Sequence, residues 1–305
     1  NWLKTPRLGV LLAVASSFLI SVCSVVVKVT RIPVGQITFI TFLVLSITSV
    51  ILALKSHKPL FPKDDLRILW GRTLFSLPIV IFSYSAVRLL PLSDEALIAY
   101  TSIIFTIILG RIFLGENCTK GKIVASAGIL IGVFLVTVGP APVEPSYLAG
   151  CIFSLLGAIC DAVSYILLKE LVHLHYSVIL FNYSLCSLLL TAPFSLWETW
   201  TWEQPLPLIS VAFIATIQEL FLTLSLTTEQ AGLVCMLHAS DIIFSYGWEL
   251  TLFSETYTVV KICGALIVTL SVIFSAYLPA DDGSILSMNS ENDEETTLRL
   301  TEDLV

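Results

Sequence analysis

Long apolar stretches alternate with short polar ones along the chain. Ten stretches stand out, at residues 8–27, 37–54, 68–87, 95–113, 123–138, 148–168, 177–196, 206–226, 233–253 and 259–278. An α-helix needs about twenty apolar residues to cross a hydrocarbon core of about 30 Å. The pattern therefore predicts an all-α membrane protein with ten transmembrane helices. Most linkers are short and carry turn residues, such as Arg31-Ile32-Pro33 and Gly139-Pro140-Ala141-Pro142. The loop 55–67 holds Pro59, Pro62, Asp64 and Asp65, and aspartates suit a helix start. The first stretch is too long for a signal-peptide core and is followed by further spans, so it reads as a true helix.

Composition agrees with the pattern. The chain is 56% hydrophobic and 13% charged, with a mean hydropathy of +0.92. A soluble chain carries roughly 25% charged residues. The net charge of −7 belongs to one segment. Residues 281–305 hold eight acids and the single base Arg299, and the remainder balances. Residues 280–305 thus read as an acidic, disordered tail rich in Ser and Thr. No basic patch points to nucleic acid. Seven cysteines lack metal-ligand spacing and read as small apolar residues.

Lysine and arginine set the orientation. Eleven fall on the side of both termini, against Lys28, Arg31, Arg88 and Lys261 on the other. The bias places both termini in the cytosol. The membrane is expected to be the plasma membrane or an endoplasmic-reticulum or other endomembrane.

A shift of 139 residues lays Thr101-Ser102-Ile103-Ile104-Phe105 on Ser240-Asp241-Ile242-Ile243-Phe244, and Phe113-Leu114-Gly115-Glu116 on Leu252-Phe253-Ser254-Glu255. A shift of 141 pairs Gly9 with Gly150 and Lys28 with Lys169. Residues 1–139 and 148–279 are thereby expected to be two five-helix repeats. Five is odd, so the second copy is inverted, a plan common among transporters.

The run Leu90-Pro91-Leu92-Ser93-Asp94-Glu95-Ala96, the following span, Phe113-Leu114-Gly115-Glu116 and a Gly-rich fifth span resemble the EamA repeat of the drug/metabolite transporter superfamily. Within it the chain looks most like solute carrier family 35, subfamily G. The second copy departs, with Thr227-Thr228-Glu229-Gln230-Ala231 and Phe253-Ser254-Glu255 in the motif positions. The resemblance implies a central cavity lined by spans 1–4 and 6–9, with spans 5 and 10 peripheral. It implies a secondary carrier without ATP hydrolysis or cofactor. Small carboxylates such as citrate are the substrates it suggests.

Ionisable groups inside a span are costly and tend to be functional or paired. Arg72 is the candidate anion ligand, because a guanidinium matches a carboxylate. The alternative is that it snorkels to the interface beside Arg67. Lys28 and Arg88 suggest a cationic vestibule, or plain interfacial residues. Tyr84, Tyr100, Ser102, Gln218 and Ser240 offer hydrogen bonds to a substrate or between helices. Asp161, Glu219, Asp241 and His238 suit proton coupling; the other reading is structural pairing, such as Asp241 with His238 or Glu219 with a base across the cavity. Glu116, Glu255, Thr119 and Thr258 read as structural. Gly128 and Gly132 mark a close-packing face, within the fold or in a homodimer.

No Walker, nucleophile-elbow or metal-ligand motif supports an enzyme or a metal site. The expected function is secondary-active, proton-linked transport of a small organic anion across the lipid bilayer by alternating access. Two other readings stand beside it. One is a regulatory membrane partner, for example in calcium handling, acting on another protein through the acidic tail. The other is a nucleotide-sugar or metabolite carrier. Two sequons check the topology. Asn117 falls in a loop expected to be cytosolic and Asn182 inside a span. Neither should carry glycan, so endoglycosidase should leave the electrophoretic mobility of protein from eukaryotic membranes unchanged. A shift traced to Asn117 would overturn the orientation.

Overall fold

A computed structural model describes residues 8–30, 32–56, 60–63, 65–116, 119–137, 144–197, 205–252 and 259–277. Twelve α-helices account for almost all of them: α1 (Leu8–Val29), α2 (Val34–Ser56), α3 (Leu66–Leu89), α4 (Leu92–Ala99), α5 (Ser102–Phe113), α6 (Lys120–Thr137), α7 (Pro145–Glu170), α8 (Tyr176–Trp197), α9 (Pro205–Thr228), α10 (Ala231–His238), α11 (Asp241–Leu252) and α12 (Val259–Ala276). No strand occurs among the described residues. Six helices, α1, α2, α3, α7, α8 and α9, are long and apolar enough to cross a membrane. Asn117, Glu255, Thr258 and the tail lie outside the described residues.

The stretches 95–113 and 233–253, expected as single helices, are each two. The interruptions fall at Tyr100-Thr101 and Ala239-Ser240. At the first, the ladder tightens to Thr101 N–H on Ile98 O and Ile103 N–H on Tyr100 O, both 3.1 Å. At the second, Ser240 N–H binds Leu237 O at 3.0 Å and Ile242 N–H binds Ala239 O at 3.2 Å. Such a 3₁₀-type step inside a helix marks a bend or hinge. Thr101 Oγ1 also donates to Ile98 O at 2.7 Å, which gives that carbonyl a second partner.

The helices pack in pairs: α1 on α9, α3 on α7, α2 on α8 and α6 on α12. Small residues make the closest approaches. A Cβ on Gly9 would meet Thr228 and Glu229, and one on Gly150 would meet Leu89 and Leu90. On α6, Gly128 faces Ser271, and Gly132 lies against Gly264 and Val268 of α12. The glycine face of α6 is thus occupied within the chain. Large apolar side chains such as Leu11, Leu74, Ile112, Phe134 and Leu270 point outward. The interior is rich in hydroxyls, Ser16, Ser17, Ser21, Ser49 and Ser184 among them. An apolar outside around a core that mixes apolar side chains with hydroxyls suits lipid as solvent.

Helix ends are closed by specific side chains. Gly115, at φ +64°, adopts the left-handed conformation after α5, which glycine tolerates without a Cβ clash. The turn aims Glu116 at α10, where its carboxylate accepts the N–H groups of Ala231 (2.8 Å) and Gly232 (3.3 Å). Gln230, the residue before α10, accepts from Lys122 Nζ. Lys28 Nζ donates to Leu90 O at 2.6 Å and Val87 O at 3.4 Å, at the end of α3. Lys169 Nζ donates to Leu226 O at 2.9 Å and Glu229 O at 2.7 Å, at the end of α9. Thr119 Oγ1 accepts Lys122 N–H at 3.4 Å, a cap on α6.

A methyl group on Gly132 would sit 2.8 Å from both Gly264 O and Val268 N, which are backbone atoms with little room to yield. Gly132→Ala should therefore cost about 1–3 kcal/mol and lower the melting temperature in detergent. Gly71→Ala, with nothing within 4 Å of the added carbon, should leave it unchanged or slightly higher.

Candidate functional site

Helices α1, α3, α4, α7, α8, α9, α10 and α11 converge on a cavity of about 150 Å³. Neither α6 nor α12 reaches it, and α2, expected to line it, packs instead against α8 and α9. Its lining holds Arg72, Glu95, Asp161, Glu219, Asp241 and His238.

Arg72 is drawn inward from α3 and is 2% exposed. Its Nη2 donates to Glu219 Oε1 of α9 at 2.5 Å. The guanidinium lies over the Tyr183 ring, 4.5 Å from the centroid, a cation–π contact. Nε and Nη1 are buried and have no hydrogen-bond partner among the described residues. Arg72 therefore does not snorkel beside Arg67. An orphaned buried donor costs about 1–3 kcal/mol, more when charged.

The second cluster joins the two interruptions. Tyr100 OH sits 2.9 Å from His238 O, a carbonyl at the end of α10, and 3.1 Å from Asp241 Oδ2 at the start of α11. Ser245 Oγ donates to Asp241 Oδ1 at 3.2 Å. The His238 ring makes its hydrogen bond with Ser16 Oγ (3.3 Å) and lies edge-on to Tyr165. Ser16 also meets Gln218 Nε2 at 3.1 Å. Asp241 and His238, one turn apart in sequence, are thus engaged with different neighbours. Ser17 and Ser240 hydroxyls lie 2.5 Å apart.

Of the residues singled out in the sequence, Arg72, Tyr84, Tyr100, Gln218, Asp161, Glu219, Asp241 and His238 line the cavity. Lys28, Arg88, Ser102 and Ser240 are not part of that lining. Lys28 binds carbonyls at the end of α3, and Arg88 binds Ile32 O. Ser102 lies 3.9 Å from Cys235 Sγ and beside Asp161. Asn182 is buried, its amide on Leu60 O and Val178 O.

Sequence reading passed over Glu95 and Tyr183. Glu95, at the edge of its apolar stretch, is buried, lines the cavity and accepts from Ser83 Oγ at 3.2 Å. Its signal is an acid one turn after Pro91 at the head of an apolar run. Tyr183 sits in a sequon, which drew attention to Asn182 instead.

This is a bundle of apolar helices around a small cavity lined by a few charged side chains set among apolar ones. Residues 7–138 match the EamA-like transporter family. The pseudopaline exporter CntI of Pseudomonas aeruginosa is 24% identical over 271 residues, covering 87% of this chain and 94% of its own. Solute carrier family 35 member G1 of Mus musculus is 26% identical over 286 residues, covering 87% of this chain and 77% of its own. The human member G1 is 25% identical over 291 residues, covering 89% and 79%. A solved protein crystal structure shares the fold with a TM-score of 0.73 at 15% identity, over 90% of this chain and all of its own. The chain is therefore a multi-pass membrane protein that resembles the EamA-like transporter family over residues 7–138 and is similar to member G1 of solute carrier family 35 over most of its length.

Removing one partner of a buried ion pair strands the other charge. Arg72→Gln should destabilise the protein by about 3–5 kcal/mol. Arg72→Gln with Glu219→Gln, which leaves two neutral amides within reach of each other, should cost less than Arg72→Gln alone. Thermal unfolding in detergent compares them.

Proposed function

We propose that the chain is a secondary-active transporter of a small carboxylate-bearing solute, working by alternating access. The observation that carries this reading is Arg72, a buried guanidinium in the central cavity with two nitrogens left for an acceptor.

The architecture behind it is ten crossings in two inverted halves, residues 1–139 and 148–279. Six long helices supply six crossings, the pairs α4–α5 and α10–α11 supply one each, and α6 and α12 supply the last two. Support comes from contacts that recur when the halves are exchanged. Lys28 closes α3 as Lys169 closes α9. Gly9 meets the end of α9 as Gly150 meets the end of α3. The interruptions at 100–101 and 239–240 are 139 residues apart. Both termini then share a side, which the lysine and arginine bias assigns to the cytosol.

The cavity limits the solute. A cavity of this volume holds a molecule about the size of benzene. Citrate brings several carboxylates to a lining with four carboxyl groups and one guanidinium, so a smaller acid suits it better. The exporter among the relatives supports movement out of the cytosol. Proton linkage draws on Asp161 and Asp241, which have no ion-pair partner among the described residues.

Reconstituted protein should move a labelled small carboxylate saturably, and an imposed pH gradient should raise the initial rate. In the doubly substituted Arg72→Gln, Glu219→Gln protein the rate should fall by about 10–100-fold, the worth of a hydrogen bond to a charged group. Wild-type transport by that protein would remove Arg72 from the site.

A further inference from the structure

The cavity holds more carboxyl groups than a simple anion site needs. Four carboxyl groups line it, one each from α4, α7, α9 and α11. Glu219 is neutralised by Arg72. Glu95 is within electrostatic reach of Lys28, whose ammonium already serves the carbonyls of Val87 and Leu90. Asp161 and Asp241 face no base in an ion pair among the described residues. Glu95 also feels both of them, and Asp161 feels Glu219. Asp241 has a hydroxyl on each oxygen, from Tyr100 and from Ser245. Asp161 has the Ser102 hydroxyl beside it.

Buried carboxylates without counter-ions are costly. A solute that brings positive charge offsets that cost. A purely cationic solute, however, leaves Arg72 Nε and Nη1 unsatisfied. The two requirements meet in one molecule with two poles.

We propose that the transported solute is a small zwitterion, its carboxylate on Arg72 and its protonated amine on Asp161, with Glu95 and Asp241 adding to the negative pole. This rests on the carrier reading above and deepens it. The ammonium takes the place of the missing base, and the carboxylate takes the place of the missing acceptor. Neutralisation of the acids by protons, with a plain carboxylate as solute, is the competing account.

Three four-carbon probes separate them in the full chain, reconstituted into liposomes and as purified protein in detergent. γ-Aminobutyrate carries one charge of each sign, succinate two negative and putrescine two positive. Titration calorimetry and uptake should both favour γ-aminobutyrate over either other probe by at least about tenfold, the worth of one charge-assisted hydrogen bond. Asp161→Asn should then weaken γ-aminobutyrate about tenfold and leave succinate unchanged or tighter. Preference for succinate would overturn the zwitterion and leave the carboxylate carrier standing. Preference for putrescine would overturn both. So would the absence of saturable binding by all three. Equal weakening of γ-aminobutyrate and succinate by Asp161→Asn would mark a structural role for that residue and sink its assignment to the amine.

Discussion

Every polar backbone group inside a bilayer needs a partner from the protein, and much of this structure follows from how the broken helices meet that demand. Each interruption inside an apolar stretch frees amides or carbonyls that need partners from the protein. The answers come from far along the chain. Glu116 reaches the start of α10 across more than a hundred residues. Tyr100, standing at one interruption, meets a carbonyl of the other. Lys28 and Lys169 spend their charge on the carbonyl ends of α3 and α9. The bonds of Glu116 and Tyr100 tie the two interrupted helices together, and Tyr100, His238 and Asp241 line the cavity beside them.

The same demand explains why charge is rare and placed. An ammonium or carboxylate inside hydrocarbon costs several kcal/mol unless it is paired or bonded. Lys28, Lys169 and Glu116 are offset by backbone dipoles at helix ends, where their sign is the favourable one. Arg72 and Glu219 offset each other. Asp161 and Asp241 have hydroxyl neighbours but no ionic partner among the described residues, and they face the cavity. Charges that close helices are thus separated from charges available to a solute.

Much of the scaffold was readable from the apolar pattern, because a helix in lipid has to be apolar for its whole length. The interruptions were not. Thr101 and Ser240 continue the composition of their spans, and a shift of the ladder by one residue leaves no trace in hydropathy. The cavity residues were legible where an ionisable group sat in mid-span, as with Arg72, Asp161, Glu219 and Asp241. What those groups do was not, because partners lie on other helices. Arg72 finds Glu219 147 residues away, and neighbours in sequence such as His238 and Asp241 turn to different groups. Lys28 and Arg88 read as vestibule bases for the same reason. Their backbone acceptors, Leu90 and Ile32, are set by tertiary packing.

Under the register proposed for the two halves, contacts of the scaffold recur and the charges of the cavity do not. Lys28 and Lys169 match, as do Gly9 and Gly150, and these residues serve packing and helix ends. Arg72 falls opposite Val211, Glu219 opposite Val80, Asp241 opposite Ser102 and Asp161 opposite Ile20. A cavity built from two equal halves and lined equally would offer the same group at both poles. Replacing one member of each pair by a charge gives the site a direction, with the base on α3 and acids on α7, α9 and α11. A solute with a single charge uses part of that polarity, whereas one that carries both signs uses all of it.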